Sequence, residues 1–135
     1  GAALVVIDTP PSVTESIRDV VRLADHVLIP VRPSPHDLRA VGQSVDIAAD
    51  SGKAFSFVLT QAKASAKLTA QAIAALSAHG VVSPAIVADR VDFAASMIDG
   101  RTVLETDSKG RSAQEVRELL SFVQERLHER KKARK

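Results

Sequence analysis

Four short apolar runs, set among stretches of helical periodicity, constrain this chain most. They are Ala3–Ile7 ("ALVVI"), His26–Val31 ("HVLIPV"), Ala54–Thr60 ("AFSFVLT") and Ala85–Ala88 ("AIVA"). Runs this short and continuous suit strands buried on both faces. Val13–Leu23 places Val13, Ile17, Val20 and Val21 on one helical face. Asp37–Ala49 does the same with Leu38, Val41, Val45 and Ile47 or Ala48. Leu68–Ala78 is an Ala-rich helical pattern, with Gly80 in a C-cap role. Arg90–Ile98 reads as a helix stopped by Gly100. A closing helix over Ser112–Leu127 carries the stripe Val116, Leu119, Leu120, Val123 and Leu127, and Ser112 with Glu115 is spaced as a capping box. Strands alternating with helices at this spacing predict an α/β fold, a parallel sheet covered by helices on both faces.

The core has to be aliphatic. Apolar residues make up 45% of the 135, but aromatics only 3%. With no cysteine, disulfides and thiolate metal sites are excluded. No apolar run approaches the roughly 18 residues of a membrane span. No signal peptide or internal repeat is visible, and the expected location is cytoplasmic. The net charge of +2 is uneven: Arg126–Lys135 holds six basic residues against Glu129, leaving residues 1–125 net negative. Such a tail reads as a solvated end, or as a contact with nucleic acid or an anionic membrane surface.

Asp8 follows the first run, and Thr9, Pro10 and Pro11 follow it at once. In parallel sheets, ligands bind at the carboxyl ends of strands. A carboxylate there loses hydration unless something compensates it. One reading is an ordinary helix N-cap. The other is a magnesium site, because Mg²⁺ takes few protein carboxylates beside waters and substrate phosphates. The two prolines restrict the direction in which the chain leaves the strand. A stiff loop beside a metal and a terminal phosphate can sense that phosphate.

"VVIDTPPS" followed by "LADHVLIPVRPSPHDLRAV" resembles the ParA-type partition ATPases, within the wider MinD/ParA deviant-Walker family. "FVLTQ" is similar to the family strand that delivers a side chain to adenine, and "IVADRVDFAASMIDGRTVLE" to its segment of Arg, apolar helix, Gly and Val-x-Glu. The resemblance runs from Ala3 to about Leu127. It implies a P-loop NTPase-like fold, with residues 1–127 as the carboxyl-terminal part of the ATPase domain and 128–135 as a basic tail. It also implies ATP and Mg²⁺ as cofactors. Asp8 would hold magnesium through water, and Thr9, Pro10 and Pro11 would form the γ-phosphate switch. Thr60 and Gln61 would stand at the adenine, where family members often use Asn, so Gln61 departs from the pattern and also suits a helix cap. Val87–Arg90 would border the base, with a surface ion pair as the alternative role of Arg90.

The family's Gly-rich phosphate loop with two lysines does not occur in these 135 residues. "DSGKAF" lacks the upstream glycine and the following Ser or Thr, and it precedes a strand. The expectation is therefore an amino-terminally incomplete sheet, with weak or no Mg-ATP binding and weak or no ATP hydrolysis by this chain alone, and self-association through uncovered surface.

By resemblance, the full function is a DNA-segregation ATPase. Its ATP-bound homodimer binds DNA non-specifically, associates with the nucleoid and is stimulated by a ParB-type partner. Candidate phosphate contacts are Arg101, Lys109, Arg111 and Arg117, with Arg130, Lys131, Lys132, Arg134 and Lys135 of the tail. Two alternatives are a MinD-like membrane-cycling ATPase and a non-hydrolysing dimerisation or interaction module. Against the first, the tail beyond Leu127 offers no bulky apolar residue for stable membrane insertion. The four histidines do not cluster and are expected at the surface, while Phe93 and Met97 are expected in the core.

Overall fold

The computed structural model describes residues 4–10, 14–63 and 66–133. The elements in chain order are α1 (Glu15–Leu23), β1 (Val27–Val31), α2 (Pro35–Asp50), β2 (Phe55–Ala62), α3 (Ala66–Ser77), β3 (Val81–Val82), β4 (Val87–Ala88), α4 (Val91–Ser96), a 3₁₀ turn (Met97–Asp99), α5 (Val103–Thr106) and α6 (Arg111–Ala133). All pairings in the sheet are parallel. β2 is central. β1 lies along one edge, with Val27 opposite Phe55 and Val31 opposite Leu59. The other edge of β2 is shared: β3 takes Ser56 and Phe57, and β4 takes Thr60 and Ala62.

Helices flank the sheet, as expected for an α/β chain. Ile29, Val31, Phe57 and Leu59 point to one face, where Ala72 and Leu76 of α3 complete a buried cluster. Leu38, Val41 and Val45 of α2 pack against it. Across the sheet, Ser56 and Val58 are also buried, and Arg126 and Arg130 of α6 line a groove with Ser56 and His26. Strands covered on both faces lose the hydrophobic alternation of half-exposed ones, which is why β2 reads as a continuous apolar run.

Pro30 sits inside β1 without breaking the ladder. The Val27 N–H donates to Ala54 O at 2.9 Å, so the backbone N–H groups of Val27, Ile29 and Val31 face β2. Pro30 faces the opposite edge, where its missing N–H costs no bond to β2. Among the described residues, no strand pairs with that outer edge.

Several expectations need correction. Residues 4–7 form no strand, and Val5 and Val6 are 72% and 84% exposed. An apolar run becomes a strand only where another strand offers hydrogen bonds, and among the described residues none pairs with it. Met97 is 74% exposed rather than in the core, because the helix gives way to a 3₁₀ turn at that residue. Leu120 of the α6 stripe is also exposed. His26 is half-buried, its Nε2 lying 3.1 Å from Ser56 Oγ. Gly100 ends its turn at φ 80°, in the left-handed role expected of it. Gly80 is needed for a different reason: a Cβ there would lie 2.8 Å from the Phe55 ring. The short β3 and α5 were not expected from the sequence.

Candidate functional site at the carboxyl edge of the sheet

β2 and β4 end side by side. Thr60 is opposite Val87 and Ala62 is opposite Ala88, with an irregularity between them. Gln61 occupies that irregularity with φ 49°, an exposed left-handed residue within a strand. Its side chain has a Cβ, so the conformation is disfavoured and has to be held by the surrounding pairing. The bulge re-aims the end of β2, a common use of such irregularities beside functional sites.

The adjoining segment is fastened from α6. The Ala88 N–H donates to Glu115 Oε2 at 3.1 Å. Arg90 donates to Glu115 Oε1 through Nε at 2.9 Å and through a terminal nitrogen at 2.8 Å. Hydrogen bonding to Glu115 raises the Arg90 pKa above its usual value. Thr60, Gln61 and Arg90 are therefore brought to one edge, and the ion-pair role considered for Arg90 is realised.

Ser112 and Glu115 form no capping box. Ser112 lies inside α6 and its hydroxyl donates to Asp92 Oδ2 at 2.8 Å, while Glu115 is engaged by Ala88 and Arg90. The reciprocal start motif occurs instead at α5, where Glu105 Oε2 accepts from the N–H and hydroxyl of Thr102 at 2.8 and 2.9 Å. That Thr-x-x-Glu spacing was present in the sequence as the signal for α5.

The end of β1 carries a third group. Ser34 caps α2 by accepting from the Asp37 N–H at 3.2 Å, with Pro35 at the first helical position. Arg32 reaches both oxygens of Asp37, at 2.9 and 3.0 Å. Arg32, and then the Ser34 hydroxyl, hold the Asp37 carboxyl below its usual pKa.

Asp8 and Thr9 stand exposed in the leading segment, and Asp8 Oδ1 accepts from the Thr9 N–H at 3.0 Å. Among the described residues, the Asp8 carboxylate makes no ion pair or side-chain hydrogen bond to the ends of β2 or β4. Pro10 continues this exposed segment, and Pro11 lies outside the described residues. No group of three or more potential metal ligands occurs among the described residues.

The candidate DNA contacts do not form one cluster. Lys109 lies two residues before α6 and Arg111 is its first residue, with Arg130 and Lys132 near its end. Arg111 and Arg130 are separated by about 28 Å at the helical rise. Arg101 is paired with Asp99 at 2.7 Å, and Arg130 donates to the Asp25 carbonyl. Arg117 is exposed on α6 beside a shallow groove with Pro84 and Phe122. The side chain of Lys131, and residues Arg134 and Lys135, lie outside the described part. Among the described residues, no helix is long and apolar enough to cross a membrane.

No family model matches the chain. It is similar to a protein of Halothiobacillus neapolitanus named Maintenance of carboxysome distribution protein A. The two are 30% identical over 127 residues, which is 88% of this chain and 59% of that protein. The chain therefore spans less than two thirds of the relative it matches.

Proposed function

We propose that this chain is part of a ParA-like positioning ATPase, and that it supplies the base-binding edge of the nucleotide site. One observation carries the reading. The bulged end of β2, at Thr60–Ala62, lies beside Val87–Arg90 at the carboxyl edge of a parallel sheet. Nucleotides bind at that edge in open α/β sheets. The motif resemblance names the same residues. The similarity to a protein named for carboxysome distribution supports a positioning role.

The residues have distinct roles in this reading. Gln61 presents an amide, both donor and acceptor, to the edge of the base. Val87–Arg90 forms the neighbouring wall, kept in place by β2 and α6. The motif resemblance gives Asp8 the water-bridged magnesium role; its carboxylate stands exposed, with Oδ1 accepting from the Thr9 N–H. When bound, magnesium would stabilise charge on the transferring phosphoryl group as water attacks. Thr9 and Pro10 place a short stiff loop next to that carboxylate. Turnover by the full gene product tests this: Asp8→Ala should abolish ATP hydrolysis, and wild-type turnover would remove Asp8 from the mechanism.

DNA binding belongs to the same proposal. Lys109 just precedes α6, Arg111 starts it and Arg117 lies in its second turn, while Arg130 and Lys132 stand near its far end. If both ends meet phosphates, deletion of residues 130–135 and substitution of Lys109 and Arg111 should each flatten the salt dependence. The slope of log affinity on log salt changes by about 0.9 for each phosphate that is no longer neutralised. Absence of DNA retardation at low salt, with ATP present, would favour the interaction-module reading. Binding to anionic vesicles in its place would favour the membrane-cycling reading.

A further inference from the structure

We propose that Glu115 is the positioning residue of the candidate base site, holding Ala88 and Arg90 in place from α6. The proposal rests on the nucleotide reading above. Ala88 is the last residue of β4, and the next N–H, of Asp89, donates back to Ala62 O at 3.0 Å. Alternation along a strand therefore turns the Ala88 N–H away from β2. A strand would normally satisfy that group. Here Glu115 does so through Oε2.

The other carboxylate oxygen takes two N–H groups of Arg90, the residue that caps α4. Side chains of Arg90 and Glu115 are 31% and 15% exposed, so the pair is shielded from water on most sides. Three residues earlier on α6, buried Ser112 holds Asp92. Residues three apart share a helical face. One face of α6 thus grips residues 88–92, the segment beside Gln61.

The chemistry demands a carboxylate. Every group facing Glu115 in these contacts is a donor, and both carboxylate oxygens accept. Glutamine has one acceptor oxygen and one donor nitrogen, so Glu115→Gln sets a donor against either Ala88 or Arg90. Aspartate keeps both acceptors on a stem one carbon shorter, and cannot reach both partners together.

The test is amide NMR of this chain titrated with ATP and, separately, with adenosine. In the wild type, both should shift the amides of residues 60–62 and 87–90. Glu115→Gln should weaken both ligands about five- to tenfold and by the same factor, as loss of a charge-assisted hydrogen bond would. It should also speed hydrogen exchange at Ala88. Should Glu115→Gln fail to fold, Glu115→Asp takes the same measurements with the same expectation. Unchanged affinities, or a loss for ATP without a loss for adenosine, would overturn the assignment while leaving the nucleotide reading in place. A wild type that shows no shifts at residues 60–62 and 87–90 with either ligand would overturn both.

Discussion

The hydroxyl of Ser112 donates to Asp92 Oδ2 at 2.8 Å, joining the first turn of α6 to the first turn of α4 across 20 residues of sequence. Ser112 is only 2% exposed but Asp92 is exposed, so removing the hydroxyl breaks one hydrogen bond whose carboxylate acceptor water can still reach. Ser112→Ala should cost about 0.5–1.5 kcal/mol of stability. Urea unfolding measures it, and a loss under about 0.3 kcal/mol would mean that water replaces the hydroxyl.

Gln61 tests the bulge. At φ 49° a Cβ is disfavoured, and a branched one more so. Gln61→Val should destabilise the chain by about 1–2 kcal/mol, whereas Gln61→Gly should be neutral or slightly stabilising. If the glycine variant also weakens ATP binding, the amide contributes to the base contact as well as to the shape. Equal stability of the Val and Gly variants would show that the left-handed conformation is absent in solution.

His26 gives the fold a pH dependence. Burial first, and then the charges of Arg130 and Arg126, lower its pKa below the ordinary 6.5. The unfolded chain therefore binds the proton more readily than the folded one. The His26 contribution is fully present above about pH 7.5 and is lost as pH falls through 6.5 toward the folded pKa. Unfolding midpoints measured from pH 8 to pH 5 should fall, and His26→Asn should flatten that part of the profile. A slope unchanged in His26→Asn would assign the effect to other groups.

The elements with local signals were legible from sequence. β1, β2, α2, α3 and α6 follow from continuous apolar runs and helical stripes, all short-range features. Leu4–Ile7 carries as strong a strand pattern as any, yet takes no strand here, since pairing depends on a neighbour that local sequence cannot supply. Two-residue strands such as β3 carry too little pattern to be seen. Thr60, Gln61 and Arg90 were singled out only by motif resemblance, and the structure adds that they lie along one edge of the sheet. Glu115 was misread, because Ser-x-x-Glu before an apolar stripe signals a cap, and the partners that redirect both residues lie more than 19 residues away in the chain. A long-range contact of that kind leaves no trace in local spacing.

In the proposed site, the base of a nucleotide meets the ends of β2 and β4. Photolabelling with 8-azido-ATP, followed by peptide mapping, asks this directly. Labelling should be confined to peptides containing residues 60–63 and 87–90, suppressed by excess ATP and reduced in Glu115→Gln. Labelling concentrated at the opposite end of the sheet, around His26 and Ser56, or labelling that ATP does not suppress, would contradict it.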